Sequence, residues 1–145
     1  PLFLTRRMII FASEDIGNAD PRALSVAVEA DRAFRVLGMP EGRIVLGQAC
    51  TYLATAPKSN AAYLGIDRAL EAVRNTGSLG VPDILKNRPL QKESSYKYPH
   101  DHGGFVRQSY LPEKLAHARF YEPRESGYET HIRSRMQKWR EDGDL

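Results

Sequence analysis

Apolar residues recur at helical spacing through the first half of the chain. Leu4, Met8 and Phe11 fall at i, i+4 and i+7, with Phe3 and Ile10 beside them, predicting a helix over residues 2–16. Gly17 ends it as a glycine beyond a helix C-terminus does. Asp20 and Pro21 restart the pattern as a capping carboxylate and a first-turn proline. This second helix runs to Gly38 with Ala23, Ala27, Ala30, Phe34 and Leu37 as its apolar stripe and Arg22, Ser25, Glu29 and Arg32 as its wet face. Pro40 opens a third helix and Pro57 closes it. Its centre, "RIVLGQACTYLATA", is apolar almost all round, and only Arg43, Gly47, Thr51 and Thr55 mark a face. Such a helix is expected to be buried on most sides. Its small stripe would admit another backbone, from within the domain or from a second subunit. Ser59 or Asn60 caps a fourth helix to about Asn75, with Tyr63, Ile66, Leu70 and Val73 inward and Asp67, Glu71 and Arg74 outward.

Residues 77–123 break the periodicity with repeated glycine and proline, yet carry Tyr96, Tyr98, Phe105, Tyr110, Phe120 and Tyr121. A disordered linker would be poor in aromatics. The expectation is a long ordered excursion whose aromatics dock on the helices, with a short helix near residues 83–86. The last helix begins near Glu125. Tyr128, Ile132, Met136 and Trp139 form its stripe, with acids Glu125 and Glu129 early and bases Arg133, Arg135, Lys138 and Arg140 late, as the helix dipole favours. The pattern therefore predicts an all-α bundle of about five helices plus an aromatic-rich ordered loop, in a single domain over residues 1–145.

Composition narrows the class. With 145 residues, 41% hydrophobic and 27% charged, the chain suits one globular domain with a core. A formal charge of +3 permits contact with nucleic acid without arguing for it. Cys50 stands alone, which excludes an internal disulfide and a cysteine-based zinc site and fits a reducing compartment. No apolar run approaches the ~20 residues of a membrane span. The start, "PLFLTRRMIIF", is interrupted by Arg6 and Arg7 and followed by no cleavage pattern, so it is not a signal peptide. It opens straight into a helix without an initiator Met and reads as a piece of a larger protein.

Candidate chemistry is sparse. No glycine-rich loop ends in Gly-Lys-Ser/Thr, so no Walker A site is present. "TAPKSNAAY" has Pro57 where a glycine would be needed and reads as a turn with a Ser/Asn cap. His100 and His102 in "HDHGG" suggest a metal, with Asp101 adjacent, but two histidines in a glycine-rich turn are more often structural. Cys50 lies in the most apolar helix and is expected in the core rather than as a nucleophile. Ser13 and Ser109 lack a nucleophile-elbow context. The calcium reading of "DIGNAD" fails, because position 12 counted from Asp15 is Val26. Glu14 and Asp15 oppose the dipole of the helix they end, so a cation should compensate: Arg22, or an arginine from another subunit.

Three runs, "RRMIIFASEDIGNADPRAL", "LGMPEGRIVLGQACTYLATAPKSNAAY" and "YKYPHDHGGFVRQSYLPEKLAHARFYEPRESGYE", resemble the C-terminal part of the RarA/MgsA family of replication-associated recombination proteins, which is related to the eukaryotic Werner-helicase-interacting protein. The resemblance covers nearly the whole chain in order. It departs after "VPDILKNRP", where relatives have a longer stretch before "YKYPH" and this chain has only "LQKESS". Relatives also commonly carry a proline inside the "HDHGGF" turn. A function of that loop is not carried over.

The resemblance implies an all-helical, clamp-loader-collar-like domain that assembles a AAA+ ATPase into a homotetramer. ATP and Mg would bind in N-terminal modules absent here. The parent would act at replication forks on DNA ends or gaps with single-stranded-DNA-binding protein, in the cytoplasm at the nucleoid and not at a membrane. No catalytic, cofactor or metal residue is assigned. Glu14, Asp15, Arg22, Gly47, Thr51 and Thr55 are candidate subunit or domain contacts. The alternative is a nucleic-acid-binding module using Arg133, Arg135, Lys138 and Arg140. A second rival, a metal-dependent hydrolase, would use Glu14, Asp15, His100 and His102.

Overall fold

The computed structural model describes residues 2–86 and 96–141. Among them, five α-helices carry the fold: α1 (Leu2–Phe11), α2 (Ala23–Leu37), α3 (Gly42–Thr55), α4 (Ala61–Thr76) and α5 (Glu129–Glu141). No strand occurs among the described residues, as the periodicity predicts. The stretch around residues 90–95, whether short or lacking residues, lies outside the described residues.

The first helix does not stay α-helical to residue 16. Beyond Phe11 it widens into a π-helical turn over Ala12–Ile16, then tightens into a 3₁₀ turn over Gly17–Ala19. Gly17 is the predicted stop: its φ is +51°, and its N–H donates to the Ala12 carbonyl. A Cβ there would lie 2.8 Å from the Ser59 carbonyl oxygen. Conformation and close approach therefore both require glycine.

Ala12, Ile16, Ala23, Ala27 and Leu53 form the core cluster, with Met8, Ile9, Phe11, Tyr52 and Ala56 against it. The alanine stripe of α2 lets α1 and α3 approach closely on either side. Ala23, Ala27, Ala30 and Phe34 are buried as predicted, whereas Leu37, at the end of the stripe, is 49% exposed. The Phe34 ring fills the space over Gly42, where a Cβ would lie 2.6 Å from Cδ2 of that ring. Across α1 and α2, Thr5 Oγ1 donates to Asp31 at 2.5 Å, and Arg35 Nε to the same carboxylate at 2.7 Å.

Two burial expectations are corrected. Helix α3 buries only Gly42, Ala49 and Leu53. Its far face, Cys50 included, is exposed, because α2 covers one side and no described element covers the other. Helix α4 buries only Ala61 and Gly65. Its apolar stripe, predicted to face inward, is open, with Tyr63, Ile66, Leu70 and Val73 at 42%, 56%, 46% and 58% exposure.

The excursion is built of short 3₁₀ turns at Asp83–Leu85, Pro99–His102 and Glu113–Leu115. Its aromatics dock less than predicted. Tyr96, Tyr98, Phe105 and Tyr110 stay exposed, while Phe120 and Tyr121 are half-buried. Helix α5 starts at Glu129 rather than near Glu125, because Gly127 at φ +50° interrupts the helical backbone.

Candidate functional site

Three segments far apart in sequence meet at one fully buried carboxylate, Glu129. It accepts hydrogen bonds from Ser59 Oγ at 2.6 Å, Tyr121 Oη at 2.8 Å and the Arg124 backbone N–H at 2.7 Å. Ser59 Oγ in turn accepts the Ala61 N–H at 3.2 Å, so the first residue of α4 is tied to α5 through one hydroxyl, while Asn60, the residue at the cap position, makes no capping bond with its side chain. The Ser59 N–H donates to the Asp15 carbonyl at 2.8 Å, and Asn18 Nδ2 to Tyr121 Oη at 3.2 Å. Gly127 completes the junction. A Cβ there would run into the Ala19 carbonyl oxygen and the Pro57 ring, and the Tyr128 N–H donates to that same carbonyl at 2.8 Å.

Glu129 has no cationic partner among the described residues. Three donors satisfy its oxygens instead. Burial raises the Tyr121 phenol above its usual range; the Glu129 charge adds to this, and the Asn18 amide only partly opposes it. Sequence reading placed Glu129 only as an early acid that the helix dipole favours. No spacing signal could have found its role, because Ser59 lies 70 residues away. Enclosed on every side, this carboxylate fastens helices and meets no substrate.

The acidic turn that ends α1 stays in solvent. Glu14 and Asp15 are exposed, and no cation pairs with either among the described residues. Arg22 goes to Asp20 instead, Nε to Oδ1 at 3.6 Å. Asp20 also accepts the Tyr52 hydroxyl at 2.6 Å. Burial pushes the Asp20 carboxyl up, but the Tyr52 hydroxyl, the Arg22 N–H and the Arg22 charge outweigh it and hold it below the usual carboxylate value. His100 and His102 are exposed, and among the described residues no group of three or more His, Cys, Asp or Glu is placed to hold a metal.

The four bases of α5 do not share one face. Arg133 and Arg140 line a cleft of about 440 Å³ with Arg119, Glu122 and Met136. Arg135 turns away to donate to Tyr128 Oη at 3.2 Å, and Lys138 is exposed outside the cleft. Arg133 is ion-paired with Glu125. Trp139 stacks on Phe105 with ring centroids 5.2 Å apart and planes within 5°. On α3, Gly47, Thr51 and Thr55 are exposed, and nothing lies within 4 Å of where a Gly47 Cβ would be. Among the described residues no helix is long and apolar enough to cross a membrane.

Residues 1–140 match the family model described as MgsA AAA+ ATPase C terminal. Replication-associated recombination protein A of Coxiella burnetii is 43% identical over 97% of this chain and 34% of its own length. The protein of the same name in Escherichia coli K12 is 40% identical over 94% of the chain and 32% of its length. ATPase WRNIP1 of Dictyostelium discoideum is 38% identical over 84% of the chain and 15% of its length. The chain thus spans about a third or less of these relatives.

Proposed function

The chain belongs to the MgsA AAA+ ATPase C-terminal family, and from that premise we propose that it is the self-association module of a AAA+ ATPase acting in replication-associated recombination. In this reading it performs no catalysis. It gathers copies of the parent, as a homotetramer, so that their ATPase modules act together on DNA ends or gaps with single-stranded-DNA-binding protein. ATP and Mg would be held by the parent's other modules, and the assembly would work in the cytoplasm at the nucleoid.

One observation carries the reading. Tyr63, Ile66, Leu70 and Val73 form an unbroken apolar stripe along α4, each more than 40% exposed. Single exposed apolar residues are ordinary, but a stripe along one helix marks an interaction face. Ile44, Met39 and Val36, at 66%, 63% and 84% exposure around the α2–α3 corner, add open apolar surface. The open small face of α3 at Gly47, Thr51 and Thr55, the exposed acids Glu14 and Asp15, which have no cationic partner among the described residues, and Arg22 are the further contacts assigned to a second subunit.

The test is light scattering of this chain over a hundredfold range of concentration. A mass of several chains that falls to one in Ile66→Asp/Val73→Asp supports the reading. A wild-type chain that stays monomeric throughout overturns it.

A further inference from the structure

We propose that the cleft between α5 and the 119–123 segment is a phosphate-binding groove for the backbone of a nucleic-acid strand. Arg119 lies on one wall, and Arg133 and Arg140, seven residues apart, lie on the other. That spacing places the two arginines of α5 two turns apart on one face. Arg133 is partly neutralised by Glu125. Arg119 and Arg140 have no acidic partner among the described residues. The lining acid, Glu122, is drawn toward Arg68 at 3.6 Å.

Both walls are fixed. Arg68 of α4 donates to the Phe120 carbonyl at 3.2 Å, and Tyr121 is bonded to the buried Glu129 that begins α5. The groove therefore presents three guanidiniums against one lining carboxylate on a fixed frame, a net positive charge that favours an anion. The cationic groups are all guanidiniums, whose planar forks match phosphate oxygens in pairs. Acidic peptides are disfavoured as occupants. Their affinity depends on apolar anchors as well as charge, and Pro123 and Met136 are the apolar side chains that line the cleft among three guanidiniums. A bare phosphodiester needs no such anchor. The groove uses none of the apolar residues of α4, so it stands independently of the self-association reading.

Binding is measured by anisotropy of a fluorescein-labelled single-stranded oligothymidylate over a series of salt concentrations. Trp139, the chain's single tryptophan and the neighbour of Arg140, reports occupancy by its own fluorescence. The expected wild-type result is salt-dependent binding that changes Trp139 emission. Arg119→Gln/Arg140→Gln should weaken binding at least about tenfold at low salt and flatten the log K against log salt slope by about 1 to 2. Arg6→Gln/Arg7→Gln removes equal charge from α1 and should leave both near wild type. The proposal is overturned if the wild type does not bind, if the two double variants lose equally, or if the cleft variant loses nothing. It is also overturned if polyglutamate displaces the strand at equal concentration of charge. Light scattering and circular dichroism unchanged from wild type in the cleft variant separate loss of the groove from loss of assembly or fold.

Discussion

Replacing Glu129 with alanine removes the acceptor of three hydrogen bonds from a site with no solvent exposure. A bond to a charged group contributes about 1.5–3 kcal/mol, but these cannot simply be added. Ser59 Oγ keeps its bond from the Ala61 N–H, and water can enter beside Arg124, which is exposed. Against this, the Tyr121 hydroxyl, held at the centre of the junction, loses its carboxylate partner. The expected loss is about 3–4 kcal/mol, a large share of the 5–15 kcal/mol typical of a domain. Glu129→Gln discriminates charge from shape. Its amide oxygen can keep Ser59 and the Arg124 N–H, and its NH₂ can donate to a Tyr121 hydroxyl turned to accept. Charge assistance is lost and the Tyr121 O–H gives up its acceptor, together about 1–2 kcal/mol. Tyr121→Phe removes one donor and should fall in the same range.

The expected order is therefore Glu129→Ala well above Glu129→Gln and Tyr121→Phe. The assay is urea unfolding followed by circular dichroism at one fixed protein concentration, since assembly would shift the midpoint by mass action. An alanine variant within about 1 kcal/mol of wild type at unchanged m-value refutes the reasoning, because the junction would then hold without its acceptor.

Gly127→Ala should cost at least about 2 kcal/mol, read by the same unfolding curve, because positive φ and the Ala19 carbonyl both exclude a Cβ. Asp20 titrates below its ordinary 3.8 in the fold. A depressed carboxyl contributes stability that is fully present above the unfolded value and is lost as pH falls through the folded one. Acid unfolding monitored from pH 5 to 2 should therefore include Asp20, and Tyr52→Phe, which deletes its hydroxyl donor, should make the fall shallower. Ile66→Asp/Val73→Asp removes exposed side chains and should change monomer stability by less than about 1 kcal/mol, in thermal melts at a concentration where the wild type is also dissociated. Gly47→Ala, in an exposed helix interior with open space at its Cβ, should raise monomer stability by about 0.5–1 kcal/mol. If α3 meets a second subunit there, the same variant weakens the assembly in light scattering.

The legible parts of the sequence were those in which one helix states its own needs. The alanines of α2 and Phe34 recur at helical spacing, and they are buried as predicted. Gly17 marks a stop by local chemistry, and Asp20 accepts the Arg22 N–H in the turn before α2, which begins at Ala23, two residues beyond the predicted proline start. Periodicity failed where it had to name a partner. The stripe of α4 shows which face wants cover but not what supplies it, and within one chain nothing described does. The apolar roundness of α3 suggested enclosure, yet only its α2 side is covered, leaving Cys50 in solvent. Glu129 was least legible of all. A charged residue at a helix start looks solvated, and its burial depends on donors from Ser59 and Tyr121 that only the tertiary fold brings together.

These failures share a physical cause. Helices α1 to α3 are joined by apolar packing through the cluster of Ala12, Ile16, Ala23, Ala27 and Leu53. Helices α4 and α5 are fastened chiefly by polar bonds and close glycine fits: Glu129 to Ser59, Gly65 against the Phe120 backbone, and Gly127 over Ala19. A helix held by its own apolar stripe has no stripe left to offer. Fastening α4 at its first turn by Ser59, and along its flank by Arg68 to the Phe120 carbonyl, fixes its direction while leaving Tyr63, Ile66, Leu70 and Val73 uncovered. A face presented on a rigid frame loses little conformational entropy on association, so even a narrow apolar stripe can add usefully to assembly. The buried carboxylate and the open stripe are in that sense one arrangement: polar bonds hold α4 and α5 in place, and the apolar stripe of α4 is left free for the contact between chains proposed above.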